Sequence, residues 1–137
     1  MSIQEVSNMS FELEEQDNLN FIELAYKISL VDGTCSREEY ELLVKYQQEL
    51  GIDYFPDTHS IDELVEYFSK RDKKAQKTIW LQLYSLIKAD QHLEDQENSI
   101  ISKIKSSFTL SSEEFNKITQ AVDNLNEAYL KLYEAIE

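Results

Sequence analysis

Two stretches of this chain read alike. Residues 25–52 are AYKISLVDGTCSREEYELLVKYQQELGI, and residues 83–110 are LYSLIKADQHLEDQENSIISKIKSSFTL. Each is an apolar helical pattern that ends at an Asp, then a short turn, then a helix that opens with acids. Overlaid, Asp32 falls on Asp90 and Glu39 on Glu97 at one offset (90 − 32 = 97 − 39 = 58). Tyr26 also matches Tyr84, and Lys45 matches Lys103. These four identities are few; the shared apolar pattern and the repeated acid pair carry the case for a duplicated helical hairpin.

The remainder of the chain is consistent with helices. With 137 residues it fits one domain, and 42 % hydrophobic and 11 % aromatic residues suffice for a core. Two Gly and one Pro are too few for a sheet protein rich in turns. The expectation is an all-α bundle of six or seven helices containing two pseudo-repeated hairpins. Residues 1–16 are expected to form a partly mobile arm and 17–137 the helical domain.

Helix boundaries follow from local signals. The spacing of Phe21, Leu24, Ala25, Ile28 and Val31 predicts a core-facing stripe on a helix over about 19–31, with Asp17 or Asn18 as its cap. Ser36 and Glu39 form a capping box for the second helix, and Gly51 is its stop. Its stripe is expected to be Tyr40, Leu43, Val44, Gln47 and Leu50, with Tyr46 beside it. Tyr54 and Phe55, ahead of Pro56, are expected to be extended and to pack on the helices. Ser60 with Glu63 opens a short third helix. A helix over about 73–90 carries Ile79, Trp80, Leu83, Leu86 and Ile87; it is the most apolar segment and the expected central helix. Trp80 reads as core in preference to a ligand platform. A helix over about 94–107 follows, and Ser111 with Glu114 opens the last one. There Phe115, Ile118 and Val122 continue into Leu125, Ala128, Tyr129, Leu132 and Ile136, with a kink or break expected at Asp123 and Asn124.

Charge narrows the partners. The net charge of −14 disfavours nucleic acid and anionic membrane surfaces; it suits cations and basic protein surfaces, or serves solubility alone. SKRDKKAQK, residues 69–77, concentrates basic residues and reads as the solvated start of a helix. No apolar run has the roughly 18 residues of a membrane span, so no membrane insertion is expected. The N-terminal residues lack the basic and apolar regions of a secretory signal, and a cytoplasmic location is the expectation. Cys35 is the only cysteine, so no intramolecular disulfide forms; it reads as a small turn or core residue. No nucleophile elbow, phosphate loop, metalloprotease helix or paired CxxC is present, and no enzyme activity is expected.

The acids Asp32, Glu39, Asp90 and Glu97 are the candidate site. Each pair stands at one end of its hairpin, and a pseudo-twofold between hairpins would bring four carboxylates together. Such a set suits Ca²⁺, Mg²⁺ or Mn²⁺, and His92 nearby would favour Zn²⁺. The same acids are also accounted for as helix caps and dipole-compensating residues. Neither copy has the ligand series of an EF-hand.

ISLVDGTCSREEYELLVKY and LIKADQHLEDQENSIISKI resemble the two halves of the tellurite-resistance TerB-like domain, with Val31-Asp32-Gly33 and Ala89-Asp90-Gln91 at the family's A-D-G positions. SIDELVEYFSK is similar to the family's middle helix, and LSSEEFNKI to the stretch after its second acidic hairpin. The resemblance covers about residues 19–118 and departs from the pattern at Gln91 and His92. It implies a helical bundle of roughly seven helices in a bacterial stress-response protein, with Asp32, Glu39, Asp90 and Glu97 as metal ligands. The expected function is therefore non-enzymatic binding of a divalent metal ion or a protein partner, basic or membrane-associated, through clustered acids. The alternative is a metal-independent protein-interaction module with an acidic surface or a groove lined by tyrosines.

Overall fold

Among the described residues there are six helices, α1 Glu15–Ser29, α2 Arg37–Leu50, α3 Ile61–Ser69, α4 Lys73–Lys88, α5 Asp95–Ser107 and α6 Ser112–Ile136, and no strand. The computed structural model describes residues 13–31, 35–88 and 95–137, leaving aside the side chains of residues 95–97. This is the all-α bundle the periodicity implies.

The capping boxes at Ser36–Glu39, Ser60–Glu63 and Ser111–Glu114 all form. In each, the serine hydroxyl accepts from the backbone N–H three residues on, while the glutamate accepts from the serine N–H. Those bonds satisfy donors that a helix start would otherwise leave open. Gly51 closes α2 in the left-handed region at φ 69°, where a side chain would be strained. The first helix starts earlier than its apolar stripe suggests. Glu14 is the N-cap of α1 and Asp17 its reciprocal partner, so residues 15 and 16 belong to the helix and not to the arm.

Both hairpins are present and antiparallel. In the first, the Phe21 and Tyr46 rings meet edge to face at 5.1 Å between centroids. In the second, Lys105 Nζ lies 5.9 Å from the Trp80 ring centre, and the Thr109 N–H donates to Gln76 Oε1 at 2.8 Å. Burial repeats at the same offset. Phe21, Ile22, Ala25, Ile28 and Tyr46 are buried, and so are Ile79, Trp80, Leu83, Leu86 and Ile104. Between the hairpins, α1 packs on α3 and α4, and α5 on α3.

Three details differ from the sequence reading. Tyr40 is exposed on α2, whereas Tyr46 is buried and donates to the Gln82 carbonyl at 3.2 Å. That bond turns the inward face to Glu39, Leu43 and Tyr46. Of the pair before Pro56, Phe55 stacks on Tyr26 at 4.2 Å, but Tyr54 stays exposed. Finally, α6 runs unbroken through Asp123 and Asn124. The Asp123 carboxylate accepts from the Tyr84 hydroxyl at 2.8 Å, so it does not compete for the helix backbone.

Candidate functional site

Of the four candidate acids, Glu39 is the one whose side chain is described. It is 1 % exposed, and its Oε1 accepts from the Ser36 N–H at 3.1 Å. One oxygen is thus committed to the N-terminus of α2. Asp32 and Asp90 lie outside the described residues, as does the side chain of Glu97, whose backbone belongs to α5. His92, the residue that would favour Zn²⁺, also lies outside them. Among the described residues, no three His, Cys, Asp or Glu side chains are grouped so as to hold a metal ion.

Two other carboxylates are buried on α1. Asp17 takes a two-pronged contact from Arg71, with Nε to Oδ1 at 2.9 Å and Nη2 to Oδ2 at 2.8 Å. The Tyr67 hydroxyl adds a 2.7 Å bond. Burial pushes the Asp17 carboxyl up, but the bonds from Arg71, Tyr67 and the Glu14 N–H together hold it below its usual value. The contact ties the start of α1 to the α3–α4 corner, so Arg71 is a structural part of the basic run and not a free cation.

Glu23 does the same for the α2–α3 connector. Its Oε2 accepts from the Thr58 and His59 N–H groups at 2.6 and 2.7 Å, and its Oε1 lies 3.0 Å from His59 Nδ1. Because an ionised carboxylate only accepts, Nδ1 is the ring nitrogen that carries hydrogen. Lys27 joins Glu23 at 3.4 Å and Asp57 at 2.9 Å, and it donates to the His59 carbonyl. Burial raises the Glu23 carboxyl; the bonds from His59, Thr58 and Lys27 outweigh it and bring the group down to about 2. His59, which reads as an isolated surface histidine, is therefore a clamp residue. The local hint is the Glu23–Lys27 spacing of four inside an apolar helix. Thr58 and His59, 35 and 36 residues away, carry no sign of their role.

The most distinctive surface is on α6. This helix runs parallel to α4: Lys73 and Lys77 meet Glu114, the Trp80 and Phe115 rings lie 5.2 Å apart, and Tyr84 meets Asp123. Phe115 and Val122 are buried in that seam, and Ile118 packs against it. α4 ends at Lys88, whereas α6 continues to Ile136. A cleft of about 430 Å³ marks the step, bounded by Lys88, Asp123, Asn126, Glu127, Tyr129, Leu130 and Tyr133. Past it, the inward stripe of α6 goes on with nothing described against it. Leu132 is 57 % exposed, Tyr133 69 % and Ile136 75 %, and Leu125, Tyr129 and Leu130 are exposed as well. The residues that extend the apolar period of α6 are thus surface, not core.

The described residues offer an apolar face on α6. No helix is long and apolar enough to cross a membrane, among the described residues. No family model, curated protein or solved structure matches the chain.

Proposed function

We propose that this protein is non-enzymatic and works by protein–protein contact, presenting the C-terminal half of α6 as its docking face. One observation carries the reading: six large apolar side chains, from Leu125 to Ile136, stand exposed on one helix. A patch of this kind marks an interaction site more often than it marks nothing, because leaving it in water is unfavourable. Its form suits the helix-in-groove mode of recognition, read through anchors three and four residues apart. A groove lined by tyrosines is present at Tyr129 and Tyr133.

The wider setting we propose is a cytoplasmic stress-response protein of the TerB-like kind. The two antiparallel hairpins, with burial repeated at the 58-residue offset, support that likeness. A divalent cation is not part of this proposal. Of the acids expected to hold one, Asp32, Asp90 and the Glu97 side chain lie outside the described residues, and Glu39 is buried with one oxygen on a helix cap.

The test is site-directed photo-crosslinking in the cells that make the protein. A benzophenone side chain is placed at Tyr133, on the face, and separately at Lys131, on the charged side. A polypeptide adduct from position 133 and none from 131 is the expected result. Equal adducts from both positions, or none from 133, would overturn the reading.

A further inference from the structure

Two clefts border both Asn20 and His59. One, of about 300 Å³, lies between α1 and the α2–α3 connector, with Leu19, Tyr54 and Pro56 in its walls. The other, of about 470 Å³, runs beside α3 along Leu64 and Tyr67. The two shared residues join them into one groove with polar groups at its middle.

Those groups are left open. Asn20 is 4 % exposed. Its Oδ1 accepts from Gln16 Nε2 at 2.9 Å, and its Nδ2 has no acceptor among the described residues. A buried amide N–H normally has a partner, because leaving it without one is unfavourable. His59 is 40 % exposed, and Glu23 fixes Nδ1 as its protonated nitrogen. In the neutral ring Nε2 is then a bare acceptor, and it has no partner among the described residues. The groove therefore holds one unused donor and one unused acceptor.

That pair narrows the ligand by elimination. An anion satisfies Asn20 but meets the His59 acceptor and the acids of the rim. A metal cation suits His59 Nε2 but faces the Asn20 donor, and no three ligating side chains are grouped among the described residues. An apolar ligand seals off both groups unpaired. A peptide main chain carries a carbonyl and an N–H in each residue and satisfies both. Tyr54, 56 % exposed, gives its side chains an apolar wall beside Leu19 and Pro56.

Charge narrows it further. The charged residues lining the groove are Glu23, Asp57, Glu63, Glu66, Lys70 and Arg71, four acids against two bases. Arg71 is taken by Asp17, Lys70 by Glu66, and Lys27 by Glu23 and Asp57. Glu63 accepts from the Ser60 N–H at 3.0 Å and has no cation paired to it among the described residues. The bonds from Ser60 hold its carboxyl below the usual range, so it stays charged.

We infer that the groove binds an extended peptide segment of another polypeptide, one that carries a lysine or arginine. A main-chain carbonyl of the segment takes Asn20 Nδ2, a main-chain N–H takes His59 Nε2, and the basic side chain meets Glu63. This surface shares no residue with the α6 cleft and goes beyond the docking reading above. Its α1 wall, Gln16 to Glu23, spans about 10 Å at 1.5 Å per residue, the length of about three extended residues. An anchor so short, ordered only on binding, is weak, with a dissociation constant on the order of millimolar for an isolated tripeptide.

NMR of the ¹⁵N-labelled full chain tests this. The probe is a blocked tripeptide with lysine between two alanines, at mildly basic pH, where an ordinary imidazole is neutral. Saturable shifts are expected at the Asn20 side-chain amide and at the His59 ring nitrogens. The same peptide with glutamate in place of lysine should bind about twofold to fivefold more weakly, the range for one exposed ion pair. Glu63→Gln should remove that preference while leaving the fold intact, since glutamine also completes a capping box. Asn20→Ala, with helix content native, should lose the lysine peptide. No shift at the Asn20 amide up to the solubility limit of the peptide overturns the inference, and so does equal binding of the two peptides. Shifts confined to Tyr129, Leu130 and Tyr133 overturn it as well, and leave the docking reading of α6 standing.

Discussion

Replacing Glu23 with Gln should destabilise the fold at neutral pH and matter far less in acid. The native carboxylate is 1 % exposed, and it accepts two backbone N–H groups and faces both His59 and Lys27. Glutamine keeps the shape but removes the charge and turns one acceptor into a donor, aimed at an N–H or at the ring. The size of the effect follows from linkage. The folded state holds the Glu23 carboxyl at about 2, against an ordinary value of 4.5. A depressed carboxyl stabilises the fold fully above the unfolded value and loses that contribution as pH falls through the folded one. At 1.36 kcal/mol per unit, the contribution is on the order of 3 kcal/mol near pH 7. That corresponds to a melting temperature lower by roughly 10 °C for a domain of this size. Urea unfolding of the native chain and the Gln variant, from pH 7 down to pH 2.5, measures the difference directly. The gap should stay constant from pH 7 to about 5 and close progressively below 4.5. Other depressed carboxyls, such as Glu114, titrate in both proteins and cancel in the comparison. A gap of the same size at pH 7 and pH 2.5 would refute the electrostatic account; no gap at pH 7 would show that the clamp contributes nothing net.

Asp17→Ala should cost about 3 kcal/mol or more, because it strands the Arg71 guanidinium beside the α1 terminus; Arg71→Met added to it should recover part of the loss, as read by chemical denaturation. Ser111→Ala removes the cap of α6 and should cost about 1 kcal/mol, seen as a lower urea midpoint with an unchanged slope. After EDTA treatment, adding back Ca²⁺, Mg²⁺, Mn²⁺ or Zn²⁺ should leave the melting temperature unchanged. An ion held by Asp32, Glu39, Asp90 and Glu97 would instead stabilise the chain by about 2.7 kcal/mol at 100 times its dissociation constant; such a shift, if lost in the Asp32→Ala, Asp90→Ala variant, would establish the four-acid site.

The fold was legible wherever the determining interaction is local. Ser36, Ser60 and Ser111 each stand three residues ahead of a glutamate, and the bonds that start the helices join those same residues. Gly51 stops α2 through its own backbone freedom. Trp80 reads as core because it stands on one apolar stripe with Ile79, Leu83, Leu86 and Ile87. The boundary of α1 was missed because Glu14 is an uncommon cap and because the helix begins before its apolar stripe does. Glu23 and Asp17 escaped notice for a different reason. Their partners, Thr58, His59, Tyr67 and Arg71, lie more than thirty residues away, and no periodicity reports a contact of that range.

The α6 face shows where pattern stops being informative. Phe115, Ile118, Val122, Leu125, Tyr129, Leu132 and Ile136 follow one spacing of three and four, which specifies that a helix has an apolar side. It does not specify what lies against that side. Over the first half of α6 the answer is α4, because α4 runs parallel and level with it. Over the second half α4 has ended, and the residues that would be core become surface. The length mismatch between α4 and α6 is what converts one into the other: 16 residues against 25, both starting level at Lys73 and Glu114. Selection for solubility alone would place charges along the surplus turns, as it does elsewhere in this acidic chain. Glu127, Lys131 and Glu134 are the charges there, with Glu127 and Asp123 bordering the cleft, yet Leu125, Tyr129, Leu132 and Ile136 keep the apolar period unbroken. A helix that outruns its support yet keeps its inward chemistry presents an apolar face on which a partner can dock.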